Sequence, residues 1–253
     1  MYGYTRGEQQ PGELYLPEGQ RITGNAIGVL ILSVWYPLVP GSMFNASTFG
    51  FPVLFKILES SNTAQVLSAD PGMVAQLITG GKELEKQGVR AVVGSCGYFA
   101  NFQLEVAAAL KAPTFLSSLL QAPLIHRSLR PEQKLGILCA SAPSLNAGAL
   151  KQCGIEDRSR IAIYGADTLP EFRNILETTG HLNSAQLEQE LVGLARQMVA
   201  ENPDVGAILL ECGDMPPYAW TIQAATGLPV FDFTTMVSWV HSAVVRRPFP
   251  GII

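Results

Sequence analysis

Val89-Arg90-Ala91-Val92-Val93-Gly94-Ser95-Cys96-Gly97 is an apolar run that ends in a cysteine and a glycine. It recurs near the carboxyl end as Val205-Gly206-Ala207-Ile208-Leu209-Leu210-Glu211-Cys212-Gly213. The offset between the cysteines carries on without a gap. Ala108 and Ala109 align with Ala224 and Ala225, Pro113 with Pro229, and Phe115 with Phe231. Each copy reads as strand, Cys-Gly turn, helix and short strand. A repeat of this length predicts two similar halves, each with one cysteine at the carboxyl end of a strand.

The flanking sequence extends the pattern. Ile27-Gly28-Val29-Leu30-Ile31-Leu32 is continuously apolar, as in a parallel strand buried on both faces, and ends at Ser33. Leu135-Gly136-Ile137-Leu138-Cys139-Ala140-Ser141 restarts the same design, which makes Ser33 and Ser141 a second matched pair. Residues 53–58 suit a strand or a helix, 65–68 a short strand, and 71–87 a helix opened by Pro71 and stopped by Gly88. Helices are predicted after each cysteine turn, over 184–201, and from about Thr234 to Val245 behind an Asp232 cap. Strands are predicted at 114–116 and 160–164. Alternating strands and helices predict an α/β fold of parallel sheets with helices on both faces. Right-handed crossovers place all the strand ends of one half on one edge. Two such edges facing each other set Cys96 and Cys212 across a cleft.

Composition narrows the partners. The 253-residue chain is 47% hydrophobic and 15% charged, with net charge −4 and no basic stripe, so neither nucleic acid nor a membrane surface is expected as partner. Mean hydropathy is +0.21. The apolar stretch 27–39 is interrupted by Ser33 and Pro37 and is too short to span a bilayer. Four cysteines without secretory features predict reduced thiols and a cytoplasmic location. Residues 1–24, rich in Gly, Pro, Glu and Gln, are expected to form an irregular arm.

Two thiols facing one carbon are an acid and a base on opposite sides, which is what inversion of an acidic C–H centre needs. A free thiol has a pKa of about 8.5, and a helix N-terminus lowers it. Both cysteines stand where a strand turns into a helix. Gly97 and Gly213 let backbone N–H groups approach a bound carboxylate. A lone cysteine at a strand end is ordinarily a small buried hydrophobe, and that reading is kept for Cys139 and Cys153. Two at matched points of a repeat favour chemistry. No histidine has a partner at metal-ligand spacing, so no metal is expected.

These motifs resemble those of the aspartate/glutamate racemase superfamily, which includes hydantoin racemases, arylmalonate decarboxylase and maleate isomerase. Gly94-Ser95-Cys96-Gly97-Tyr98-Phe99 resembles the first cysteine motif and Glu211-Cys212-Gly213-Asp214-Met215-Pro216-Pro217-Tyr218 the second. The loop Pro40-Gly41-Ser42-Met43-Phe44-Asn45-Ala46-Ser47-Thr48-Phe49 resembles one in other members. The chain departs from glutamate racemases at Gly97-Tyr98, where they have Asn-Thr, at Gly213-Asp214, where they have Thr-His, and at Ser33-Val34, where they have Asp-Ser. The resemblance implies two pseudo-symmetric flavodoxin-like lobes with the site between them. Lobe 1 would comprise 25–116 and 234–253, and lobe 2 would comprise 117–233. It also implies a homodimer and no cofactor.

The expectation is then a cofactor-independent amino-acid racemase, aspartate or glutamate first, with Cys96 and Cys212 as catalytic acid and base. Ser33, Asn45, Gly97, Tyr98, Ser117, Ser118, Ser141, Gly213 and Asp214 are expected around a small carboxylate or amino-acid substrate. The rivals are a superfamily decarboxylase or cis–trans isomerase of a small dicarboxylate, and a non-catalytic two-lobed carboxylate-binding protein.

Overall fold

The computed structural model describes residues 16, 18–247 and 249. Residues 1–15 lie outside the described residues, and most of the expected arm with them.

The first sheet is built from β1 (Ile27–Leu32), β2 (Val53–Leu58), β3 (Ala91–Gly94) and β4 (Thr114–Phe115). The second is built from β5 (Lys134–Cys139), β6 (Ile161–Gly165), β7 (Val205–Leu210) and β8 (Val230–Phe231). Their orders are β2-β1-β3-β4 and β6-β5-β7-β8, and every pairing is parallel. The two sheets therefore repeat one topology. In such sheets a ligand binds outside the carboxyl ends, where strand order reverses. Those points lie between β1 and β3 in the first lobe and between β5 and β7 in the second. The two cysteine turns leave β3 and β7, so the topology delivers both thiols to switch points.

Side-chain alternation decides which helix covers which face. Ile27 and Val29 of β1 join Ala91 and Val93 of β3 in a cluster closed by Phe233, Met236, Val237 and Val240 of the last helix, Phe233–Val244. The chain's final helix thus packs on the first sheet. Leu30, Leu32 and Val92 point the other way, into the core shared with the helix Gly72–Lys86, whose Met73, Leu77 and Leu84 are buried. Gly28 lets that helix approach, since a Cβ there would lie 2.9 Å from Leu84.

The ambiguous stretch 53–58 is a strand. Residues 65–68, expected as a strand, are instead the end of the helix Thr63–Leu67 and its C-cap, Ser68. Asn62 and Gln65 form a reciprocal capping box there, and that local pairing outweighs the short apolar run. The segments after the cysteines open as 3₁₀ turns, Gly97–Phe102 and Pro216–Tyr218, before becoming α-helices at Gln103–Ala109 and Ala219–Thr226. The helices Ala122–Ser128, Ala147–Gln152 and Pro170–Leu176 had no sequence expectation, being too short to show a full apolar period.

Asp232 caps the final helix as expected. Its Oδ1 accepts from the Thr235 amide at 2.8 Å and from the Thr234 hydroxyl at 2.7 Å. Asp232→Ala should cost about 1–2 kcal/mol, read as a lowered urea midpoint at unchanged slope. An unchanged midpoint would show that the cap is idle.

Candidate active site

The two cysteine turns meet backbone to backbone. A Cβ on Gly97 would stand 1.9 Å from Glu211 Oε1 and 2.3 Å from the Glu211 carbonyl oxygen. A Cβ on Gly213 would stand 2.0 Å from the Ser95 carbonyl oxygen. The contact is reciprocal, because the residue after each cysteine touches the residue before the other. The glycines were expected to admit a bound anion. In the structure they admit the opposite turn, and this holds the two thiols at one place. The Met43 amide donates to the Gly213 carbonyl at 2.9 Å, which ties the loop after β1 to the second turn. Tyr98 crosses between lobes, its hydroxyl bridging the Ser141 carbonyl (2.5 Å) and the Ser141 amide (2.7 Å).

Cys96, Tyr98, Cys212 and Asp214 all line one cavity. Its remaining wall is Leu32, Val34, Tyr36, Phe44, Thr63, Val66, Leu67, Ser95, Ala140, Ile175 and Leu176. None of these lining residues is Lys, Arg or His. All four cysteines are free; Cys139 and Cys153 are buried in the core, as expected of structural residues. A second groove beside the final helix, lined by Phe115, Leu124 and Trp239 among others, has no titratable group on its wall.

The side chains of Asn45, Ser117, Ser118 and Ser141 are hydrogen-bonded elsewhere. The Asn45 side chain serves its own loop, donating to the Leu38 carbonyl at 2.7 Å and accepting from the Ser47 amide at 2.8 Å. Ser117 caps the turn Ser118–Gln121 through the Leu119 amide, and the Ser118 hydroxyl donates to the Leu210 carbonyl at 2.8 Å. The Ser33 amide donates to the Ser61 hydroxyl at 3.0 Å, and the Ser141 hydroxyl donates to that of Ser144 at 3.2 Å. Ser33, Asn45, Gly97, Ser117, Ser118, Ser141 and Gly213 are not among the residues on the cavity wall. Sequence reading missed Tyr36 and Glu211. Tyr36 stands just beyond the end of β1, and Glu211 directly precedes a cysteine.

The electrostatics reverse one expectation. The thiols were expected below their ordinary pKa. Amide N–H groups do point at the sulfurs, those of Tyr98 and Phe99 at Cys96 and that of Asp214 at Cys212, and they favour the thiolate. Burial outweighs them, with the Glu211 and Asp214 carboxyls adding to it, and both thiols are pushed up. Asp214 is itself raised to about 6 by burial, against hydrogen bonds from Tyr36 and Ser42. Glu211 is raised to about 8 by burial. Its Oε2 accepts from the Ala140 amide at 3.1 Å, while Oε1 has no hydrogen-bond partner.

Glu211 carries a stability prediction. Its folded pKa stands at about 8 against an ordinary 4.5, so the native state keeps a proton that the unfolded chain gives up. Stability therefore falls as pH climbs through that window. Glu211→Gln removes the titration. Its advantage over the parent should grow by on the order of a few kcal/mol between about pH 5 and about pH 9. Urea denaturation at the two pH values checks this, and parallel pH profiles for parent and variant would refute it.

No family model matches the chain. It is 27% identical over 246 residues to a dimethylsulfoniopropionate lyase of Durusdinium sp. clade D, covering 90% of this chain and 77% of that protein. It is 28% identical over 237 residues to dimethylsulfoniopropionate lyase 7 of Emiliania huxleyi (strain CCMP1516), covering 90% and 69%. Among solved structures, allantoin racemase from Klebsiella pneumoniae superposes with TM-score 0.55 at 18% identity, over 90% of this chain and 95% of that one. Unliganded arylmalonate decarboxylase superposes with TM-score 0.55 at 15% identity, over 90% and 96%. A glutamate racemase from Bacillus anthracis does so with TM-score 0.51 at 16% identity, over 87% and 84%. The sequence relatives overturn the expectation of an aspartate or glutamate racemase, since proteins matching nine-tenths of the chain are lyases. The architecture stands as expected: the chain has a two-lobed α/β fold of parallel sheets, shared with allantoin racemase and arylmalonate decarboxylase.

Proposed function

We propose that this protein is a lyase that splits dimethylsulfoniopropionate, or a close β-sulfonio carboxylate, into dimethyl sulfide and acrylate. A cysteine thiolate takes a proton from the carbon next to the carboxylate. The electron pair of that C–H bond becomes the second bond of the C=C, and the C–S bond breaks with its pair leaving on sulfur. The cationic sulfonium thus departs as neutral dimethyl sulfide. The reaction starts as racemisation does, with abstraction of an α-proton, so one two-thiol site serves either chemistry. The leaving group on the β-carbon decides which follows.

The observation that carries this reading is the cavity wall, taken with the names of the sequence relatives. Two thiols stand in an otherwise mostly apolar cavity that has one carboxylate, Asp214, and no basic lining residue. Aspartate, glutamate or a malonate would bring a second carboxylate with no cation to meet it, beside an Asp214 that repels it. A sulfonio carboxylate brings one carboxylate and a methylated cation. The Thr63 hydroxyl on the wall is a donor for its carboxylate. The apolar walls keep water from the thiolate and from the departing sulfide.

Incubation of the purified protein with dimethylsulfoniopropionate, with headspace gas chromatography for dimethyl sulfide, tests the proposal. Dimethyl sulfide and acrylate should appear in equal amounts, at a rate proportional to protein. No release above a Cys96→Ser/Cys212→Ser double variant would refute it.

A further inference from the structure

We propose that Asp214 and Tyr36 form a cation subsite, which holds the positively charged end of the substrate and selects methylated onium groups. The assignment rests on the lyase reading for the name of the substrate, and on the geometry for the site. Asp214 is only 7% exposed, yet it lies on the cavity wall beside Tyr36. Its Oδ2 accepts from the Tyr36 hydroxyl at 2.7 Å and its Oδ1 from the Ser42 hydroxyl at 2.9 Å. Both donors are neutral. They orient the carboxylate and leave its charge uncompensated. Among the described residues no Lys, Arg or His forms an ion pair with Asp214.

A buried carboxylate without a counter-charge is costly, and a cationic ligand offsets that cost. Glu211, the other buried carboxyl near the thiols, does not compete for this role. It is fully buried, spends Oε2 on the Ala140 amide and is absent from the cavity wall. The surroundings narrow the cation further. Phe44, Ile175 and Leu176 line the same cavity and offer no hydrogen-bond acceptors on their side chains. A primary ammonium would leave N–H groups unpaired against them. A dimethylsulfonium or trimethylammonium has none to lose and spreads its charge over methyl groups. The Tyr36 ring adds a face that attracts such a cation. A bound cation also lowers the cost of a thiolate at Cys212, because Asp214 is among the groups that hold that thiol protonated.

Three ligands of equal reach test this in competition with dimethylsulfoniopropionate and by direct calorimetry. They are 3-(trimethylammonio)propanoate, its uncharged isostere 4,4-dimethylpentanoate, and β-alanine. The parent should bind the trimethylammonium compound at least about tenfold more tightly than either of the others. Asp214→Asn, which keeps the shape and an acceptor, should erase the preference over the uncharged isostere. Tyr36→Phe should keep part of it, and Tyr36→Leu should lose more than Tyr36→Phe. Equal binding of charged and uncharged ligands by the parent would overturn the subsite, and so would a preference that survives in Asp214→Asn. If that variant fails to fold, the parent's own preference still decides. The two proposals fail separately. Dimethyl sulfide release without a cation preference removes the subsite alone, and a preference without release removes the lyase reading alone.

Discussion

Cys96→Ser and Cys212→Ser should lower dimethyl sulfide release unequally, one by about 10²- to 10⁴-fold and the other by less. An elimination needs one base, placed on the side of the departing proton. A racemase needs both thiols, so its two variants would fail alike. Serine keeps the size but is far too weak an acid to form the base. The rate of the parent should also climb with pH through the alkaline range. Both thiols are held up by burial and by neighbouring carboxyls, so the thiolate fraction grows in that direction. The titratable groups acting on them are Glu211 and Asp214, and Cys96 also acts on Cys212. Glu211→Gln should move the rising limb to lower pH, because an ionised Glu211 opposes a thiolate at either sulfur. Two single variants that both release dimethyl sulfide at the parent rate would remove the cysteines from the mechanism.

Gly97→Ala and Gly213→Ala should each destabilise the protein by on the order of 3 kcal/mol or more, and should abolish activity in whatever folds. Each added methyl would meet the backbone of the opposite turn, at 2.3 Å from the Glu211 carbonyl oxygen or 2.0 Å from that of Ser95. A flexible side chain could swing away, but these are backbone carbonyls one residue past the ends of β3 and β7. The turns must separate, and the thiols move with them. Gly193→Ala is the internal control. That glycine lies in the helix Ser184–Glu201, and a Cβ there meets nothing within 4 Å. The substitution should stabilise by about 0.5–1 kcal/mol, because alanine fits a helix interior better than glycine. Thermal and urea denaturation of the three variants reads both signs at once. Parent-like stability in Gly97→Ala and Gly213→Ala would show that the turns do not depend on their contact.

The fold was legible because the chain repeats itself. The matched runs ending at Cys96 and Cys212, together with those ending at Ser33 and Ser141, marked four strands. Those four are the central pair of each sheet. The outer strands β4, β6 and β8 were read as short strands from the same pattern, and only residues 53–58, which show no clean period, were left between strand and helix. At the site, Cys96, Tyr98, Cys212 and Asp214 were found from the cysteine motifs and do share a cavity. Asn45, Ser117 and Ser118 were expected there because polar residues past strand ends often bind ligands, but local turns consume the hydrogen bonds of Asn45 and Ser117, and the Leu210 carbonyl of β7 takes that of Ser118. Tyr36 follows the end of β1 beside a second aromatic residue, Trp35, and only the structure shows that Tyr36 is the one on the cavity wall. Glu211 could not have been placed from sequence, because its effect depends on the opposite turn closing over it. Nor could the direction of the thiol shift. A cysteine at a helix start implies a lowered pKa, and only the three-dimensional burial and the facing carboxyls reverse it. The reaction lay further out of reach, since racemisation and elimination share their first step and therefore their residues.

One measurement tests the central claim most directly. Dimethylsulfoniopropionate carrying deuterium at both positions next to the carboxylate is turned over, and the organic product is analysed by mass spectrometry. If a cysteine removes an α-proton as dimethyl sulfide leaves, the product is acrylate that keeps one deuterium, formed more slowly than from unlabelled substrate. A 3-hydroxypropanoate that keeps both deuteriums would mean that water displaces the sulfide at the β-carbon, and would contradict the account.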